Sequence, residues 1–181
     1  MSDMRLRFST LVFVGLLFAV ALPAVAQMEM PKPAPELKKL DYFVGTWATE
    51  GDIKPSAMGA GGKWTGSEHY EWMEGGFFLT GHEEYSGPEG KAQGPAFLGY
   101  DTNDKMFTYD AFNSMGEAGH AKGNVEGNTW TYTSNEKMGG QSFKARYTMK
   151  ILSPTSYSMK YEMSQDGTNW TAVMEGKATK K

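Results

Sequence analysis

The side chains best placed to do chemistry flank Gly75-Gly76: Glu68 and His69 come before it, His82 and Glu83 after it. If the two glycines form the turn of a hairpin, residues whose numbers sum to 151 face each other across it. Trp72 then meets Leu79, Tyr70 meets Gly81 and Tyr85 meets Gly66, so an aromatic ring covers a glycine on both flanks. On that apolar face Glu68 falls opposite Glu83. On the other face His69 falls opposite His82, with Glu71 and Glu84 close by. A slip of one residue would destroy both pairings.

Two carboxyl groups about 5 Å apart on an inward face cannot both ionise cheaply, so one pKa rises toward the range of a working acid or base. Glu68 and Glu83 are therefore the catalytic candidates. The plainer reading, favoured because buried carboxyl groups are rare, places both near an open end of the domain, solvated. His69 and His82 are candidate metal ligands, with Glu71 or Glu84 as a third. Two surface histidines on the wet side of a hairpin is the plainer reading there, since no group that would orient their rings is identifiable.

Other chemistries find little support. The chain has no cysteine, which removes thiol catalysis, thiolate metal sites and disulfides together. No G-x-S-x-G nucleophile turn occurs. Gly59-Ala60-Gly61-Gly62 leads into Lys63 and strand-like residues rather than a phosphate-binding helix. His120, between Gly119 and Ala121, is expected to be exposed. No cofactor is expected.

The elements that position these residues are mostly strands. Pro35 to Phe43 reads as one short helix, with Pro35 at its start and Leu37, Leu40 and Phe43 on one face. Beyond Gly45 the apolar pattern has period two. Strands are expected near 45–54, 63–74, 77–86, 94–100, 105–114, 118–126, 128–135, 141–152, 156–164 and 169–179. Phe143, Ala145, Tyr147, Met149 and Ile151 alternate with Ser142, Lys144, Arg146, Thr148 and Lys150, which gives each strand one buried and one wet face. Short turns such as Asp101–Asp104 and Glu126–Asn128 favour a meander. About ten strands in one sheet would curl, and closure removes the edges. The expected fold is all-β: a single antiparallel up-and-down barrel of about ten strands with one short N-terminal helix. A two-sheet sandwich is the alternative.

Gly45-Thr46-Trp47, after the helix and opening the first strand, resembles the G-x-W signature of lipocalin-like (calycin) barrels. Around it stand Pro35–Asp41, then Glu71-Trp72-Met73-Glu74-Gly75-Gly76-Phe77-Phe78-Leu79, then Phe97-Leu98-Gly99-Tyr100-Asp101. In that order they resemble the exported bacterial family called domain of unknown function 1579, over most of the chain after its leader. The resemblance implies a lipocalin-like barrel whose end is capped by the Trp47 indole, and it carries no established activity. In lipocalins a late basic residue lies over the signature tryptophan; here Lys177, Lys180 or Arg146 would take that place. The family's Tyr-Thr-Arg-type ending is replaced by Met174–Lys181. Nitrobindin-type haem barrels share a similar opening, but their ligand is a late histidine, and no histidine follows His120.

The N-terminus adds a compartment. Arg5 and Arg7, the apolar run Leu11–Leu22 and Ala24-Val25-Ala26 make the three-part layout of a secretory signal peptide cleaved near Ala26. The run is shorter than the roughly 20 residues a spanning helix needs. Residues 1–26 are thus expected to be a leader, 27–34 a linker and 35–181 the barrel, exported to the periplasm or beyond. Losing Arg5, Arg7 and Asp3 takes the formal charge from −3 to −4. Arg146 is then the sole arginine, so neither nucleic acid nor a membrane surface is an expected partner.

The expected function is binding of a small apolar or amphipathic molecule in the barrel, through Trp47, Tyr70, Trp72, Asp110, Phe112, Tyr147 and Tyr161, with the mouth near Trp64–Trp72 and Ser56–Gly62. One alternative is an enzyme using the Glu68/Glu83 pair. The other is an outer-membrane barrel, whose strands alternate in the same way. Oligomeric state is not legible.

Overall fold

Leu37, Leu40 and Phe43 recur every third residue, and three is the period of a 3₁₀ helix rather than an α-helix. Pro35–Phe43 adopts that tighter helix and buries all three side chains. The computed structural model describes residues 31–56, 59–138 and 140–181. The expected leader, and the expected linker as far as residue 30, lie outside these residues.

Ten strands follow the helix: β1 (Gly45–Ile53), β2 (Gly62–Trp72), β3 (Leu79–Gly87), β4 (Gly90–Asp101) and β5 (Met106–Phe112), then β6 (Ala118–Glu126), β7 (Thr129–Met138), β8 (Gln141–Ser153), β9 (Ser156–Ser164) and β10 (Thr171–Lys180). Each pairs antiparallel with its sequence neighbour, and β10 returns to β1, so the sheet closes into a barrel with no sandwich split. Closure leaves no unpaired edge.

The β2–β3 register pairs Glu68 with Glu83, His69 with His82, Tyr70 with Gly81 and Tyr85 with Gly66, as expected. The turn is longer than the two glycines. The Met73 amide donates to the Phe78 carbonyl and that of Gly76 to the Met73 carbonyl, so the loop spans four residues between Met73 and Phe78. Because the loop is symmetric about Gly75-Gly76, the register survives the change of turn type.

Up-and-down topology sorts the connections to two ends. The helix, the β2–β3, β4–β5, β6–β7 and β8–β9 turns and both termini of the barrel gather at one end; the five other turns gather at the opposite end. The helix closes the first end. Its Tyr42 hydroxyl donates to the carbonyls of Ser153 (3.0 Å) and Ser156 (2.9 Å), fastening it to the β8–β9 turn. Gly45, at φ +108°, lets the chain turn from helix into β1. Trp47 is 0% exposed, and its indole N–H donates to the Phe43 carbonyl at 2.8 Å.

Outward positions carry ion pairs: Lys63 with Asp52, Lys54 with Glu175, Lys122 with Asp101 and Asp104. A lipid-facing barrel needs an apolar band at those positions, so these charges argue against the outer-membrane alternative. Among the described residues no helix is long and apolar enough to cross a membrane.

Candidate functional site

Inward residues leave a cavity of about 740 Å³ that reaches from the open end down to Phe43 and Leu98. Its walls are aromatic rings and methionines, among them Trp64, Tyr85, Tyr109, Tyr147, Met159 and Met174. Glu68 and Glu83 also line it, at 4% and 7% exposure. This corrects the plainer expectation that both carboxyl groups are solvated near an open end. They are covered because the rings beside them are large and the strands continue well beyond them.

Tyrosines from four different strands supply the hydrogen bonds that make this burial tolerable. Tyr85 on β3 donates to Glu68 Oε1 (2.9 Å), and Tyr157 on β9 to Oε2 (3.0 Å). Tyr109 on β5 donates to Glu83 (2.9 Å to Oε2), and Tyr70 on β2 also donates to Glu83. Burial, reinforced by the charge of Glu83, pushes the Glu68 carboxyl up to about 7, against the pull of its two tyrosine bonds. Burial raises Glu83 as well, opposed by the bonds from Tyr70 and Tyr109. The phenols of Tyr70, Tyr85, Tyr109, Tyr147 and Tyr157 are held well above their ordinary value, first by burial and then by the facing carboxylates. They remain donors at any physiological pH. One buried hydroxyl lining the cavity, that of Tyr132, has no hydrogen-bond partner.

Of the residues expected to line the cavity, Tyr70, Tyr147 and Tyr161 do, and Phe112 does so at its rim. Trp47 and Trp72 do not. Trp47 packs between Tyr42 and Tyr157, with Lys180 Nζ 5.2 Å from its ring centre. Trp72 donates its indole N–H to Asp41 at 2.8 Å, beside the helix. Both belong to the closed end. Arg146 lies instead over Trp170, at 4.1 Å, so among the three candidates Lys180 takes the cationic place over Trp47.

Asp110 also needs correction. It faces outward, paired with His120 across β5–β6. Phe112 stands at the rim, 53% exposed. On β5 the inward set is Phe107, Tyr109 and Ala111, one residue out of phase with the expected choice. Tyr85, Tyr109, Tyr132 and Tyr157 were missed as site residues; Tyr157 and Tyr85 shared a face with expected ones, which is the signal that would have found them. The mouth is built mainly from residues 86–94, 112–120 and 134–137. The β1–β2 connection lies at the same end, where Ser56 and Gly59 pair with each other and residues 57 and 58 fall outside the described set.

His69 and His82 face each other on the wet side, as expected. His69 Nδ1 lies 2.9 Å from the Thr46 hydroxyl, and His82 lies 3.5 Å from Glu84. Among the described residues no group of three or more His, Asp or Glu side chains is gathered to hold a metal ion. His120 is exposed, with its ring held by Asp110.

The sequence model of a family described as protein of unknown function (DUF1579) matches residues 32–180. No curated protein matches the chain. Among solved structures, Rv2717c from M. tuberculosis aligns with a TM-score of 0.56 at 14% identity, over 83% of this chain and 99% of that one. A de novo designed fluorescence-activating β barrel aligns at 0.44 with 12% identity, over 78% and 95% of the two chains. At such identity the likeness to Rv2717c concerns the fold.

Proposed function

We propose that this chain, which belongs to the DUF1579 family of proteins of unknown function, binds a small amphipathic molecule inside its barrel, in a compartment outside the cytoplasm. The observation that carries the reading is the cavity of about 740 Å³, open at one end and walled by aromatic and methionine side chains around two buried carboxyl groups. Binding sites for small molecules have this size and this mixture of apolar wall and few polar points. A barrel that needed only stability would fill the space, because a void forfeits packing contacts and a buried carboxyl costs solvation. The extracytoplasmic placement rests on the leader pattern of Arg5, Arg7, Leu11–Leu22 and Ala24-Val25-Ala26.

Native mass spectrometry of the protein purified from its own source under non-denaturing conditions tests the reading. A bound species of a few hundred daltons, lost on denaturation, is expected. A spectrum that shows only the bare chain, together with no uptake of any added amphiphile, contradicts it. One observation favours proton transfer as a second reading: Glu68 is pushed up to about 7 inside the cavity. That reading predicts a supplied ligand recovered in altered form, and no alteration with Glu68→Gln.

A further inference from the structure

We infer that the molecule held in the barrel is an organic cation, a protonated amine on an apolar body; the inference rests on the ligand-binding reading above and names its chemical class. Charge at the cavity wall comes first. The acidic side chains lining it are Glu68, Glu83, Glu89, Glu117 and Glu136, and its basic ones, among the described residues, are Lys137 and His120. His120 is already paired with Asp110 on the outer side. No basic group among the described residues reaches the depth of Glu68 and Glu83.

Hydrogen-bond polarity comes second. Tyr70, Tyr85, Tyr109 and Tyr157 all point their protons at the two carboxyl groups. The base of the cavity therefore offers mainly free acceptors: the remaining carboxyl lone pairs and the phenol oxygens. An ammonium carries three donors and no acceptor, which is the complement of that set. A carboxylate or phosphate headgroup would bring more acceptors and a further negative charge into a site with little water to screen it. The tyrosine faces around the pair add attraction for a cation and none for an anion.

The unpartnered Tyr132 hydroxyl is an independent observation. It is buried on the same cavity wall, its ring tilted against Tyr109 with centres 6.3 Å apart and stacked on Trp130. A buried hydroxyl without a partner is costly and uncommon. A ligand with a polar group beside its apolar body would satisfy it. The acidic residues Glu89, Glu117 and Glu136 at the mouth would raise the local concentration of a cation before it enters.

Entry of an ammonium favours the ionised carboxyl groups, so binding releases a proton and strengthens as pH rises through the range in which the pair titrates. The groups facing the pair are Tyr70 from β2, Tyr85 from β3, Tyr109 from β5, Tyr147 from β8 and Tyr157 from β9, with His82 acting on Glu83 from the outer face. The tyrosines stay protonated throughout, which leaves the two carboxyl groups to set the dependence.

Calorimetric titration of the purified protein with octylamine, octan-1-ol and octanoate, at pH 6 and pH 8, separates the possibilities because the three share one chain and differ in head charge. Octylamine is expected to bind about ten-fold or more tighter than octan-1-ol at pH 8, with octanoate weakest and the amine's advantage smaller at pH 6. Glu68→Gln and Glu83→Gln should each remove most of that advantage while keeping octan-1-ol binding, which shows that the barrel is intact. Glu126→Gln, on the outer surface, should change nothing. Equal affinity for amine and alcohol, or preference for octanoate, overturns the cation assignment and leaves ligand binding standing. No binding of any of the three overturns both.

Discussion

The two ends of the barrel are built from the same ten alternating strands and differ in what their inward positions hold. At the closed end Leu40, Phe43, Trp47, Leu79 and Trp130 pack around the 3₁₀ helix; four of the five are the largest fully buried side chains, and Phe43 packs edge-on against Trp130. From there toward the open end the inward positions hold Glu68 and Glu83, at the base of a cavity, and a ring of tyrosines around it. One end is fastened by packing and the other by hydrogen bonds around groups that would rather be in water. The packed core and the cavity are thereby separated along the barrel axis. Substitutions should respect that boundary.

The largest expected effect lies at the closed end. Trp47→Ala should cost about 3–5 kcal/mol in urea denaturation, the usual range for emptying a buried large aromatic site. Tyr161→Ala, at the half-buried open end, should cost about 1 kcal/mol. Equal costs would erase the distinction between the ends.

The next effect is on pH. Glu68 titrates higher in the folded barrel, about 7, than its ordinary 4.5 in an open chain. The folded state then binds more protons between those values, so this group's contribution is full below about 4.5, falls as pH rises, and is lost above about 7. Glu68→Gln should therefore gain stability relative to the parent on going from pH 5 to pH 8, by on the order of 2–3 kcal/mol. Urea midpoints at the two pH values measure it; a difference that does not change with pH contradicts the burial of this carboxyl.

Two Tyr→Phe changes sharpen the contrast within the cavity. Tyr157→Phe removes a donor to Glu68 and should cost about 1–2 kcal/mol at pH 8. Tyr132→Phe removes a hydroxyl with no partner and should be neutral or stabilising by up to about 1 kcal/mol in the empty barrel. Thermal melts of both proteins, with the parent alongside, decide whether the two hydroxyls differ. The smallest effect belongs to Lys180→Met at the closed end, about 0.5 kcal/mol for a partly exposed cation over Trp47.

Much of this architecture is legible in the sequence. The strand pattern, the helix and the Glu68–Glu83 pairing were legible because alternation and a symmetric loop fix which residues face each other, even though the turn itself is longer than Gly75-Gly76. The depth of the pair was not legible. It depends on Tyr157, 89 positions away from Glu68, and on Tyr109 two strands over, neither of which local pattern connects to it. On β5 the pattern misled: Met106, Thr108, Asp110 and Phe112 look as apolar at their ends as Phe107, Tyr109 and Ala111, and only the pairing of Tyr109 with Leu98 settles which set faces inward. Trp47 and Trp72 were placed on the right face but at the wrong height, since alternation gives the side of a strand and not the distance along the axis.

The most direct measurement is a carbon-13 NMR titration of the glutamate side-chain carboxyl groups, assigned with Glu68→Gln and Glu83→Gln. One carboxyl of the pair titrating near 7 in the empty barrel is the expected result. Both titrating near 4.5 would mean that the pair is solvated, and would contradict a buried carboxyl pair at the base of the cavity.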